Sequence, residues 1–164
     1  MNNNTDNNTD NNTPHNTTVQ KLTAYTGTAD SSIISAAITP YENPADKPRR
    51  VYLCDDSPEG ILSAIYDAWT GRYGHSHNYI QLYSSGDINM FYEYIKTSPD
   101  LAKAQNIASA IRQKISGGFY SLVEDCLMSN EKTRADDIYR LIILGFAVGP
   151  SAVSYLAFPS IRRI

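Results

Sequence analysis

Basic residues are not in excess in this sequence. Fourteen Lys and Arg stand against 17 Asp and Glu, and from Val51 onward 10 stand against 12, a balance of −2. A chain without an overall cationic footprint is not expected to bind duplex DNA strongly by itself. Cysteine is scarce too. Cys54 and Cys126 are the only two, both in apolar surroundings. That excludes an iron–sulfur cluster or a cysteine zinc site of its own and predicts core thiols in a reducing cytoplasm. No basic segment leads into an apolar one at the N-terminus, and no uninterrupted apolar run is long enough for a bilayer. Neither a signal peptide nor a membrane partner is therefore expected.

Residues 1–50 are rich in Asn, Thr, Asp and Pro, with a recurring Asn-Asn-Thr-Asp unit near the start. They contain too little apolar surface to offset ordering entropy and read as a disordered N-terminal tail. Sequons such as Asn3-Asn4-Thr5 are chance matches in a chain with no secretory signal. Ile33, Ile34 and Ile38 form an apolar island that either docks on the domain or a partner, or stays in the tail.

Val51 to Trp69 is the stretch around which the rest is organised. Val51–Cys54 is short, β-branched at its start and bounded by Asp55-Asp56, which predicts a strand. Ser57 then offers a helix N-cap and Pro58 a first helical position that needs no N–H. Ile61, Leu62, Ile65 and Trp69 recur at helical spacing and mark the buried face. Further on, Asn78–Tyr83 and Phe91–Lys96 read as two more short strands. Ser98-Pro99-Asp100 repeats the helix-start signal, and Gly117-Gly118 is expected to end the helix that follows. Phe119–Met128 and Asn130–Val148 read as further helices. The segment Leu141–Val148 is almost wholly apolar, and Gly149-Pro150 is its stop. The expected architecture is α+β, with about three short strands followed by at least four packed helices.

The runs YLCDDSPEGILSAIYDAW, GRYGHSHNYIQL, FYEYIKTSPDLAKAQNIASAIRQKIS and DDIYRLIILGFAVG, in that order, resemble an uncharacterised bacterial and archaeal family labelled as DNA metabolism proteins. The resemblance covers about residues 51–164. It implies an accessory component of a DNA repair or modification system that works with a radical-SAM protein, and related domains are fused to a uracil-DNA-glycosylase-like domain. No catalytic residues come with it. It also implies that the chain carries only the N-terminal part of the family's domain. On that reading Ile142, Ile143, Leu144, Phe146, Val148, Val153, Leu156 and Phe158 lack their cover, and residues 51–164 alone are marginal or self-associating.

Four constellations could carry chemistry. Asp55, Asp56 and Glu59 surround a helix N-terminus, where carboxylates either hold a hard cation or offset the helix dipole; the second reading is preferred. His75 and His77 share one side of an extended segment, as a polar strand entry or as a contact for a nucleotide or partner; a metal would need another ligand. Lys103 and Lys114 lie eleven residues apart on one helix face with Arg112 nearby, either as a solvated face or as a phosphate-tracking patch. Tyr66, Trp69, Tyr73, Tyr79, Tyr83, Phe91, Tyr92 and Tyr94 make the first half aromatic, as sheet core or as a surface for stacking bases. His75, His77, Lys103, Arg112 and Lys114 are thus the candidate contacts for nucleic acid or a partner. Catalytic residues stay unassigned, and no metal or cofactor is expected. The alternatives to the accessory role are an enzyme acting on nucleic acid, with the Asp55, Asp56, Glu59, His75 and His77 groups converging, and a truncated product without independent activity.

Overall fold

The computed structural model describes residues 31–38, 47–86 and 88–157. Their elements are α1 (Ser31–Ile38), β1 (Arg50–Cys54), α2 (Pro58–Thr70), β2 (Asn78–Leu82), β3 (Glu93–Lys96), α3 (Leu101–Lys114), α4 (Gly117–Leu127) and α5 (Arg134–Val148). Two 3-10 segments, Tyr83–Ser85 and Gly149–Ala157, complete the set.

The strands form one open parallel sheet in the order β2-β1-β3, with Val51 level with Tyr79 on one side and Tyr94 on the other. This corrects the expected α+β class of strands followed by helices. A parallel pair needs a crossover, and α2 supplies it between β1 and β2. The return from β2 to β3 crosses β1 without an α-helix, through residues 83–92. Three strands were expected and three are present. They are interleaved with helices and not a separate layer, since strand–helix–strand order makes neighbouring strands parallel.

Alternation divides the sheet into two faces. Tyr52, Cys54, Ile80 and Leu82 enter the core with Ile61, Ile65, Ile107, Ile111, Phe119, Val123 and the inner side of α5. Val51 is also buried, yet stands outside that core because it points to the other face. All the core-forming helices therefore serve one face of the sheet. Both cysteines are buried, and burial pushes the Cys54 thiol up to about 12 and that of Cys126 to about 11, so neither is a thiolate at neutral pH.

Helix starts show where local signals hold and where they shift. Ser57 caps α2 as expected, accepting from the Gly60 N–H at 3.0 Å, with Pro58 in the first position. At the second start the cap is Asp100, accepting from the Lys103 N–H at 3.0 Å, so Ser98-Pro99 precedes the helix. Gly117 and Gly118 open α4 instead of closing α3, because Ser116 accepts from the Phe119 N–H at 3.1 Å and caps the new helix.

Two further expectations change. Residues 31–38 form α1, in which Ile34 is fully buried and Ala37 nearly so against the core, so this part of the segment 1–50 is folded and carries the apolar island. The expectation of disorder for 1–30 lies outside the described residues. Ile142, Ile143 and Leu144, expected to lack cover, are fully buried, and Phe146 and Val148 pack against the same core. Val153 remains 45% exposed; the side chains of Leu156 and Phe158 lie outside the described residues. Arg134–Ser154 is long and apolar enough to cross a membrane by length and composition, but half of its most apolar window is buried inside the protein. It is the central core helix with its 3-10 continuation.

Candidate functional site

The acidic turn after β1 is occupied by its own fold. The Ser57 hydroxyl donates to Asp55 Oδ1 at 2.7 Å, which places that carboxylate over the first turn of α2. Gly60 leaves room for it, since a Cβ there would lie 1.7 Å from Asp55 Oδ1. Asp56 forms an ion pair with Arg134, whose side chain is buried at the start of α5. Carboxylates at a helix N-terminus are stabilised by the helix dipole, and here they are also bonded.

The two histidines part company. Residues 75–77 form a turn instead of an extended run. His75 lies tilted against Trp69, with ring centroids 4.6 Å apart, and shares a 2.8 Å hydrogen bond with the Tyr139 hydroxyl. His77 meets Tyr73 edge-on and approaches the Ser76 hydroxyl at 3.0 Å through its Nδ1. Burial, reinforced by Arg140, holds the His75 imidazole below its ordinary value, while burial pushes the Tyr139 phenol well up. Both histidines precede β2, whereas Asp55 and Asp56 follow β1. In a parallel pair those are opposite ends, roughly 15 Å apart for a five-residue strand. The acidic and imidazole groups do not converge, and no group of three or more His, Cys, Asp or Glu among the described residues is placed to hold a metal.

The principal polar centre went unread in the sequence. Arg140 Nε donates to Asp136 Oδ2 at 3.2 Å, Nη1 donates to the His75 carbonyl at 2.6 Å and the Ala36 carbonyl at 3.3 Å, and Nη2 donates to the Asn78 carbonyl and Asp136 Oδ1. Asp136 Oδ1 also accepts the Ile80 N–H at 3.1 Å. Carboxylate and guanidinium thus take the outward-facing N–H and C=O of edge strand β2, where a fourth strand would otherwise pair. The available signal was an Asp and an Arg four residues apart inside an otherwise apolar helix.

Lys103, Arg112 and Lys114 have different surroundings. Lys103 pairs with Asp67 on α2 at 2.8 Å. Arg112 lies 3.7 Å over the Tyr120 ring and approaches Glu124 at 3.9 Å, both on α4. Lys114 borders a groove with Tyr66, Trp69 and Phe146 between helices.

What remains is the face of the sheet that no helix covers among the described residues. Val51, Tyr79, Gln81 and Tyr94 floor a cleft of about 860 Å³, within the roughly 300–1,000 Å³ usual for ligand sites. The β2–β3 crossing forms one rim. It is held by Asn89, whose N–H donates to the Tyr94 hydroxyl at 2.6 Å and whose side chain accepts from the Phe91 N–H at 2.9 Å. Arg49 closes an end, donating to the Tyr92 hydroxyl at 2.8 Å, and exposed Lys132 stands on the rim before α5. Ile88, Met90 and Phe91 are each more than three-quarters exposed on the crossing. The sequence's aromatic cluster is thereby sorted: Trp69 and Tyr66 pack against the core, while Tyr79, Tyr92 and Tyr94 line the cleft.

No family model, no curated protein and no solved structure matches the chain. With no match and no metal or catalytic cluster among the described residues, the labels DNA metabolism, DNA repair and radical-SAM partner are withdrawn as descriptions of this chain.

Proposed function

We propose that this chain is an accessory, partner-dependent component of a larger assembly, acting in the cytoplasm, and that it binds instead of catalysing. The carrying observation is how the reactive groups are used. Asp55, Asp56, His75, Asp136 and Arg140 all bond to other parts of the fold, whereas an open, partly apolar cleft lies on the side of the sheet that no described helix covers. A net charge of −3 and thiols held protonated by burial fit a binding role in a reducing compartment.

Co-expression followed by affinity purification of the full chain tests this. The radical-SAM protein named by the resemblance is the first partner to assay. Stoichiometric retention of a partner, reduced by Met90→Ser and Phe91→Ser on the exposed crossing, is the expected result. A full chain that never retains a partner and turns over a substrate alone would overturn the reading.

A further inference from the structure

We infer that the outer edge of β3 is a self-association site, where β3 of a second copy of this chain pairs antiparallel with Ile95 on the two-fold axis. The fold treats the two edges of its sheet differently. At β2 the outward N–H of Ile80 and C=O of Asn78 are taken by Asp136 and Arg140. At β3 the N–H groups of Glu93 and Thr97 donate to the Arg49 and Leu53 carbonyls, both at 2.8 Å, so the odd-numbered positions face β1. Tyr94 and Lys96 therefore turn their backbone N–H and C=O outward. None of the described residues bonds to these groups. An edge left open in this way is a template for another strand.

Register selects a second copy as the occupant. A symmetric antiparallel pair forms bonds only where outward positions meet outward positions, so its axis falls on Tyr94, Ile95 or Lys96. An axis on Lys96 opposes two lysines, which is unfavourable. An axis on Tyr94 sets Lys96 against Tyr92, whose N–H is already given to the Asn89 carbonyl. With the axis on Ile95, Tyr94 of each copy meets Lys96 of the other, every outward N–H and C=O of the strand is bonded, and an ammonium lies beside each phenol ring. Lysine on an edge ordinarily guards against pairing, but in this alignment it faces a tyrosine and no like charge. The strand begins with Glu93 and ends with Lys96, so antiparallel pairing also brings its unlike ends together. Two three-stranded sheets then join into one across a closed two-fold dimer. A contact along four residues is small, which makes the dimer one of modest affinity. It needs no other protein, so its failure would leave the partner-dependent role standing.

Sedimentation velocity on the full chain tests it, over about 2 to about 200 µM, the range in which an interface of limited area dissociates. The mass is expected to rise with concentration from one chain toward two and to stop there, because the axis closes the assembly. Lys96→Pro removes an outward N–H and leaves the ladder to β1 intact, since proline is tolerated where the N–H of an edge strand faces outward. It should weaken self-association roughly tenfold or more, with a far-UV circular dichroism spectrum like that of the parent. A cross-link gives a readout that does not depend on this variant. A non-hydrogen-bonded antiparallel pair holds its Cα atoms about 4.5 Å apart, within reach of a disulfide. Ile95→Cys oxidised with diamide should therefore run as a covalent dimer on non-reducing electrophoresis. Both native cysteines are buried, and Glu93→Cys would lie roughly 14 Å from its counterpart, so neither the parent nor that variant should link. A chain that stays single at every concentration, growth beyond two chains, or an Ile95→Cys variant that links no better than Glu93→Cys would each overturn the assignment. A different protein occupying β3 of a chain that stays single would do the same.

Discussion

Ile80 and Tyr79 are neighbours on one strand and inhabit different environments. Ile80 is 1% exposed and faces the helical core, while Tyr79 faces the cleft. The same division runs through β1, where Tyr52 and Cys54 join the core and Val51 does not. One face of this sheet supplies stability and the other is left to meet something else. Parallel sheets ordinarily bury both faces, so a parallel sheet whose described helices lie on one side only is an unusual place to leave tyrosines.

The largest expected effect tests whether the covered side depends on its polar centre. Arg140→Leu removes the donors to the His75, Asn78 and Ala36 carbonyls and leaves the buried Asp136 carboxylate without its guanidinium. Breaking a buried ion pair from one side destabilises by about 3–5 kcal/mol, so chemical denaturation should show most of the stability gone. Replacing both partners, as in Asp136→Leu with Arg140→Leu, should recover part of the loss; a double variant worse than the sum would show that closing the β2 edge matters more than the charge. Ile80→Ala follows, at about 2–5 kcal/mol for a truncated core side chain. Gly145→Ala comes next. A Cβ there would meet Phe119 at 2.6 Å and Ile115 at 2.8 Å, where α5 presses on α4, and overpacking of this kind costs about 1–3 kcal/mol.

These three positions also show what the sequence made legible. Helix α2 could be read in full, because Ser57, Pro58 and the spacing of Ile61, Leu62 and Ile65 are local signals that tertiary structure left unaltered. The start of α3 was misplaced by two residues and that of α4 was taken for an end, because Ser98, Asp100 and Ser116 all have capping side chains and packing selects among them. The parallel sheet was present in the order of elements and was misread. The cleft had no local signature. Tyr79, Ile80, Gln81 and Leu82 alternate between faces, yet nothing in four residues says which face receives helices. The long-range role of Arg140 had no local signature, because the carbonyls it reaches lie 62 to 104 residues away.

Tyr79→Ala sharpens the contrast with its neighbour. Its ring already borders open space, so its removal makes no closed cavity, and the loss of stability should stay below about 1 kcal/mol. A Tyr79→Ala variant as unstable as Ile80→Ala would mean that the cleft face carries packing of its own, and the division between the faces would fail.

The smallest effect concerns pH and belongs to the covered side. His75 is held below its ordinary value, first by burial and then by Arg140, which keeps the charged imidazole unfavourable beside Trp69 and Tyr139. Between the lowered folded value and the unfolded value of about 6.5, the unfolded chain binds the proton and the folded chain does not, so stability rises with pH in that window. Acidifying from neutral pH should therefore lower the melting temperature once the pH falls below about 6.5, levelling off below the folded value. His75→Gln removes the titrating group and retains a polar side chain toward Tyr139, so its melting curve should lose that slope relative to the parent. Tyr79→Ala should keep the slope, since the cleft lies across the sheet from this imidazole. Equal pH dependence in His75→Gln and the parent would move the origin of the effect to other groups and remove His75 from the account.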